Sequence, residues 1–159
     1  MGIRLWQIWG AVFTLVFGTV LHFTYGWSDR NPLVALFSPV NESTWEHMKL
    51  LITPILLFGI VEYACYGKDL TNFIPVKALS LLVGMGTTVL LFYAYTLALG
   101  TNYLPADIAT FVAGVVAAYW FSAHFLQTDA FSAPEIVVCG WLLLILILLY
   151  SLSRTLREI

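Results

Sequence analysis

Ionisable side chains are concentrated in one short stretch of an otherwise apolar chain, from Glu42 to Lys49. This stretch contains two carboxylates, one imidazole and one ammonium group, and it stands where a long hydrophobic segment begins. His22 precedes it, near the end of the preceding hydrophobic segment. Ionisable groups at membrane depth are costly and tend to mark functional sites. We therefore predict the functional site of this protein here.

Two carboxylates and two imidazoles can hold a divalent metal, and Zn²⁺, Mn²⁺ and Fe²⁺ are all chemically acceptable. With an open coordination position, the metal would activate water for hydrolysis. A carboxylate beside an imidazole can instead carry protons. The spacing matches none of the standard metal motifs, including His-Glu-x-x-His, so both chemistries stay open. The predicted metal ligands are His22, Glu42, Glu46 and His47, and the predicted catalytic groups are Glu42, Glu46 and His47.

The same residues also match a structural pattern, the Ser43-x-x-Glu46 capping box of a helix N-terminus. In this interpretation Glu46 bonds backbone amides, and the helix dipole favours Glu42. Lys49 is then expected to pair with Glu46 or to extend towards solvent. If the helix already includes Glu42, the two glutamates lie on one face, four residues apart. The capping pattern alone can account for the stretch without any catalysis.

Composition identifies the class of protein. Of the 159 residues, 60% are hydrophobic and only 10% are charged, and the mean hydropathy is +0.88. Soluble domains carry about 25% charged residues, so this composition indicates a membrane protein. The net charge of −2 argues against a nucleic-acid partner, because no basic surface is available to meet phosphates. The two cysteines lie in apolar segments without metal-type spacing, and we expect free, buried thiols.

Five segments have the roughly 20 apolar residues that a membrane-spanning helix needs. We predict an all-α polytopic protein with one transmembrane domain, residues 1–159. The first segment is too long for a signal peptide and lacks a convincing cleavage site, so we expect it to be retained. Pro54 should kink the second span, and small residues in the third and fourth spans should allow close packing. The predicted spans are roughly 5–25, 45–66, 75–99, 105–126 and 134–152.

Alternation of the spans assigns the remaining polar residues to one membrane side or the other. His22 and Asp107 should share a side with the stretch from Glu42 to Lys49. Glu62 and His124 should lie on the opposite side, where we expect them to pair with each other or with Lys68. The basic residues are divided too evenly between the two sides to determine orientation.

The run from Ser38 to Lys49, Ser-Pro-Val-Asn-Glu-Ser-Thr-Trp-Glu-His-Met-Lys, resembles a motif of an uncharacterised family of small bacterial multi-pass membrane proteins. The preceding His22-Phe-Thr-Tyr-Gly-Trp27 and the later Phe92-Tyr-Ala-Tyr-Thr96 are also similar to that family. Met48 stands where the family usually has leucine, a conservative difference. The resemblance implies about five helices and a location in the bacterial cytoplasmic membrane. It implies no activity.

Three functions from different classes fit these observations. The first is a membrane enzyme or metal-binding protein acting on a lipid or interfacial small molecule. The second is a small proton-coupled transporter that uses Glu46 and Glu62 at the two ends of one helix. The third is a structural or accessory membrane subunit without catalysis. In each case the expected partner is the lipid bilayer, and a homo-oligomer is compatible with all three.

Overall fold

The computed structural model describes residues 2–158, with side chains through residue 153. The described chain is all-helical, 80% helix without strands. Five segments are long and apolar enough to cross a membrane. The helices are α1 (Ile3–Trp27), α2 (Pro32–Ala35), α3 (Thr44–His47), α4 (Lys49–Cys65), α5 (Phe73–Leu99), α6 (Leu104–Phe125) and α7 (Pro134–Glu158), with a short 3₁₀ turn at Gly67–Asp69.

The predicted spans agree closely with these helices, and α3 and α4 together form the second span, Thr44–Cys65. Local sequence explains several helix ends. Pro105 lies in the first turn of α6, where its missing N–H has no intrahelical acceptor to lose. Gly100 ends α5 in the left-handed conformation, with φ of 73°. The protein is therefore a polytopic helical bundle, as the composition predicts.

The spans alternate in direction, so helix starts and helix ends meet at each of the two ends of the bundle. We call them the Arg4 side, where α1 begins, and the His22 side, where α1 ends. Trp45, at the start of α3, contacts Tyr150 near the end of α7 on the His22 side. Gly140, earlier in α7, packs on Pro75 at the start of α5. These contacts agree with the alternation of the spans.

Small residues bring α5 and α6 together in the most extensive helix interface of the bundle. A Cβ on Gly84 would lie 3.0 Å from both the Ala118 Cβ and the Gly114 carbonyl oxygen. A Cβ on Gly114 would meet Thr88 and the Gly84 carbonyl. The predicted close packing of these residues is confirmed, but Gly86 has no neighbour within 4 Å of such a Cβ.

A second close approach joins α1 to α4 and depends on Pro54. Proline has no N–H, so the carbonyl of Leu50, four residues earlier, has no intrahelical donor. That carbonyl lies against Gly18 of α1, where a Cβ would be only 2.5 Å from the Leu50 oxygen. The helix continues through Pro54, and the break in the second span lies at Met48. The proline thus creates a docking point for α1.

The core of the bundle lies between α4, α5 and α6, and α1 and α7 are the most peripheral spans. Only 11% of the apolar part of α7 is buried, against 50% for the second span, so most of the α7 surface faces away from the other helices. Cys65 and Cys139 are free thiols, as predicted, but both are exposed rather than buried. Buried core residues include Met48, Leu51, Ile55, Leu81, Val115, Ala118 and Tyr119.

The Gly18 contact gives a direct test of this packing. We expect Gly18→Ala to destabilise the protein by about 1–3 kcal/mol, the usual cost of forcing atoms into a packed interface. Gly86→Ala is the matched control, because its Cβ enters open space and alanine favours a helix by about 1 kcal/mol over glycine. The measurement is the thermal unfolding midpoint in mild detergent, followed by circular dichroism. Equal midpoints for the two variants would contradict the proposed contact.

Candidate functional site

A loop on the His22 side carries most of the polar contacts at this end of the bundle. We call residues 36–43, between α2 and α3, the motif loop. Ser38 is fully buried, and its hydroxyl donates to the Leu21 carbonyl at 2.5 Å. The same oxygen accepts from the Tyr25 backbone N–H at 3.3 Å. Thr53 of α4 donates to the Phe37 carbonyl. The loop is therefore fixed to the last turns of α1, next to His22, and to α4.

A buried ion pair fixes the other side of the motif loop. Glu46 and Lys49 are each about 1% exposed, with 2.6 Å between Lys49 Nζ and Glu46 Oε2. Glu46 Oε2 also accepts from the Val40 backbone N–H, and Lys49 Nζ donates to the Ala35 carbonyl. The predicted pairing of Lys49 with Glu46 is confirmed. Both charges are neutralised inside the protein while they hold the loop in place.

The helix after the loop starts by a modified version of the predicted capping box. Ser43 Oγ accepts from the Glu46 N–H, as the pattern requires. The reciprocal bond is supplied by Asn41, whose side-chain oxygen accepts from the Ser43 N–H at 2.9 Å. The helix begins at Thr44, so Glu42 precedes it. The condition under which one helix face would carry both Glu42 and Glu46, a helix that already includes Glu42, is therefore not met.

Three side chains converge at the centre of this region. His22, Glu42 and His47 each offer one atom that can bind a metal ion, and these three atoms lie within 4.8 Å of one another. His47 Nε2 is 3.4 Å from Glu42 Oε2, and the two imidazole rings have centroids 5.1 Å apart. Nδ1 of His22 is buried, without a hydrogen-bond partner among the described residues. Glu46, the fourth predicted ligand, is not in this group. Its Oε2 is bonded to Lys49 Nζ and the Val40 N–H, and its buried Oε1 has no hydrogen-bond partner among the described residues.

The orientation of the His47 ring follows from its hydrogen bond. Nδ1 lies 3.0 Å from the Ser43 carbonyl oxygen, and a carbonyl can only accept, so Nδ1 carries the proton. In the neutral ring Nε2 then has a lone pair, and this lone pair faces the Glu42 carboxylate. A cation between these two electron-rich groups, either a proton or a metal ion, would stabilise this arrangement.

A cavity of about 490 Å³ adjoins this group and includes His22 and Glu42 in its wall. Its rim includes Arg30, which follows Asp29 in the chain. Both residues adopt left-handed backbone conformations, with φ of 59° and 52° respectively. Such conformations are uncommon for residues other than glycine and often occur at functional sites. A cationic side chain is thus placed beside the three converging groups.

A second buried polar network lies on the Arg4 side, as the alternation of the spans predicts for Glu62. Glu62 is fully buried, and its carboxylate is 2.5 Å from Lys77 Nζ. Gln7 donates to Glu62 and accepts from Lys77, and Tyr66 donates to Glu62 at 2.6 Å. Burial, together with the adjacent carboxylate, raises the pKa of the Tyr66 phenol far above its usual value, so this group remains a donor.

This network corrects one expectation. Glu62 pairs with Lys77 of α5, not with His124 or Lys68. His124 is exposed and stacks on Trp120, with 6.1 Å between centroids. Gln7 and Lys77 were missed as site residues, although each is an isolated polar residue inside an apolar span.

A third polar contact joins the ends of α5 and α6 on the His22 side. Tyr95 hydrogen-bonds the Asp107 carboxylate, and Asn102 Nδ2 lies 3.5 Å from the second oxygen of Asp107. These residues fix the short turn between the two helices. Asp107 therefore lies on the predicted side but is absent from the group formed by His22, Glu42 and His47.

Comparison with known protein families identifies the chain. A family of unknown function, DUF6512, has a model that matches residues 2–156. The chain belongs to this family. No curated protein and no solved structure matches the chain. Membership of DUF6512 therefore supports the predicted link to an uncharacterised family, and the function has to be argued from the site.

The Glu46–Lys49 pair gives the second prediction. Removing one partner of a buried pair leaves an uncompensated charge, so we expect Glu46→Ala to cost about 3–5 kcal/mol of stability. Glu46→Ala combined with Lys49→Met should recover part of this loss, because no buried charge remains. The midpoint of chemical unfolding in detergent measures both effects.

Glu135→Ala is the control for this experiment, because Glu135 is an exposed carboxylate in the first turn of α7. We expect it to leave the midpoint nearly unchanged. A Glu46→Ala midpoint no lower than that of Glu135→Ala would contradict the structural role of the pair.

Proposed function

We propose that this DUF6512 protein is a metal-binding membrane protein whose site lies at one membrane surface, with His22, Glu42 and His47 as the ligands. The observation that carries the proposal is the His47 ring, whose Nε2 lone pair faces the Glu42 carboxylate. Metal-bound histidines commonly donate their other N–H to a backbone carbonyl, which fixes the tautomer. The bond to Ser43 is of this kind.

The distances support the same assignment. Two ligands bound at about 2.0–2.1 Å to a tetrahedral Zn²⁺ lie about 3.3 Å apart. His47 Nε2 and Glu42 Oε2 are already 3.4 Å apart. The remaining separations are at most 4.8 Å, and rotation of the Glu42 side chain, which is 85% exposed, would bring its carboxylate closer to the imidazoles. A bound metal ion would also explain why the buried Nδ1 of His22 has no hydrogen-bond partner among the described residues.

Two imidazoles and one carboxylate form a three-ligand set with room for a further ligand. This set suits Zn²⁺, Mn²⁺ or Fe²⁺. A divalent metal there acts as a Lewis acid on a carbonyl or phosphoryl oxygen and makes water a nucleophile near neutral pH. Arg30, in the wall of the adjoining cavity, would attract an anionic group of the substrate.

We infer from this chemistry an enzyme of the bacterial cytoplasmic membrane that acts on a lipid or on a small molecule at the membrane surface. Glu42 and His47 bind the metal and contact the substrate. Glu46 is a positioning residue, because it holds the motif loop through Val40 and Lys49. The bacterial location rests on the resemblance of the motif, and the substrate class rests on the position of the site at the end of α1.

Proton chemistry is the second candidate function, and the same observation favours it. A second proton on His47 would also satisfy the Glu42 carboxylate, as an imidazolium–carboxylate pair. With the buried Glu62–Lys77 pair at the other end of α4, this arrangement would suit a proton-coupled transporter. Metal analysis separates the two functions, because only the first requires a stoichiometric metal.

The third prediction concerns metal content. We expect the purified protein, loaded with Zn²⁺, Mn²⁺ or Fe²⁺ and dialysed, to retain about one ion per chain. His22→Ala and His47→Ala should each weaken binding at least about tenfold, because each removes one of three ligands. Binding should weaken in acid, because the imidazole nitrogens must be deprotonated to bind metal. Elemental analysis and competition with a chelator measure the stoichiometry and the affinity.

His124→Ala is the control for this experiment, because it removes an imidazole from the Arg4 side and leaves the three ligands intact. It should bind metal like the wild-type protein. A folded wild-type protein that retains none of the three metals would refute the metal site. Proton flux into liposomes, compared between the wild-type protein and Glu42→Gln, would then test the transporter.

A further inference from the structure

A larger cavity, of about 700 Å³, lies between α1 and α6 on the Arg4 side. It is separate from the His22 site, which is on the opposite membrane side. Ligand-binding cavities commonly have volumes of about 300–1,000 Å³. We call it the α1/α6 groove. Its walls are one stripe of α1, containing Arg4, Ile8 and Ala11, and one stripe of α6, containing Val116, Trp120 and His124.

The groove has a polar mouth and an apolar interior. The two helices run in opposite directions, so Arg4 and His124 lie together at the mouth, and Ala11 and Val116 lie deepest. Arg4 and Ala11 are about 10 Å apart along the axis of α1, at 1.5 Å per residue. Ile8, Val116 and Trp120 are exposed, so the groove opens laterally towards the bilayer. Its shape fits a headgroup above an acyl chain.

The deeper polar groups of the groove are already bonded within the protein. The Gln7 amide bonds Glu62, Tyr66 and Lys77. The Tyr119 hydroxyl bonds Thr14 at 2.9 Å. Gln127 and Thr128, which also line the groove, bond the carbonyls of Ala123 and Phe125. Ligand recognition therefore falls to the charged and titratable groups at the mouth, Arg4 and His124.

The charge of the mouth favours an anion. No carboxylate lines the groove, and no carboxylate of the described residues forms an ion pair with Arg4. A guanidinium group binds phosphate through two parallel hydrogen bonds. We propose that the α1/α6 groove binds an anionic phospholipid of the leaflet on the Arg4 side. Its phosphate contacts Arg4 and His124, and one acyl chain lies along Ala11 and Val116.

Lipid binding by the full chain in mild detergent tests the proposal. The probes are dioleoyl phosphatidylglycerol, dioleoyl phosphatidylcholine and inorganic phosphate, and native mass spectrometry counts the bound lipid. We expect one tightly bound phosphatidylglycerol, with at least about tenfold lower affinity for phosphatidylcholine. Arg4→Gln should weaken phosphatidylglycerol binding about tenfold, because a charge-assisted contact is lost. Val116→Trp should weaken the binding of both lipids by filling the apolar interior.

Lys68→Gln is the matched control, because it removes an exposed basic residue on the same side but outside the groove. It should bind phosphatidylglycerol like the wild-type protein. Equal loss in Arg4→Gln and Lys68→Gln would show non-specific attraction and overturn the proposal. Equal affinity for the two lipids would overturn it as well. Thermal stabilisation by inorganic phosphate equal to that by phosphatidylglycerol would indicate a free-anion site instead.

Discussion

Two buried glutamate–lysine pairs, one at each end of the second span, determine how the rest of the bundle is arranged. Charges inside a membrane protein must be neutralised there, because the hydrocarbon supplies no water. Glu46 pairs with Lys49 and thereby holds the motif loop. Glu62 pairs with Lys77 of α5 and also bonds Gln7 of α1. Removing either carboxylate would leave the charge of a buried lysine uncompensated. Each pair therefore helps to determine which segment packs against that end of the second span.

The candidate metal site is a consequence of the first pair. His22 and His47 are far apart in sequence, and they meet because the motif loop is bonded at both ends. Ser38 attaches the loop to the last turns of α1, and Glu46 attaches it to the start of the second span. In the sequence, Glu46 looks the most reactive residue because it stands beside His47. In the structure Glu46 is buried, and it positions the other residues of the site. The exposed Glu42 is the carboxylate that remains available.

Much of this arrangement could be predicted from the sequence, and the failures share one physical cause. Apolar length and proline positions set the five spans, and alternation assigned Glu62 to the correct side. Neither signal fixes the rotation of a helix about its axis, which decides whether Glu62 meets Lys77 or His124. The Ser43 capping pattern does predict the helix start at Thr44. It does not show that Asn41 supplies the reciprocal bond that the pattern assigns to Glu46.

The carboxylate of the His22 site is held differently from the two buried glutamates. Glu46 and Glu62 each have a lysine, but no lysine or arginine of the described side chains lies within ion-pair distance of Glu42. Its nearest ionisable neighbour is His47, whose Nδ1 donates a hydrogen bond to the Ser43 carbonyl. The Glu42 side chain is 85% exposed, so its carboxylate remains open to an exchangeable cation from solvent, and the proposed binding site depends on this access.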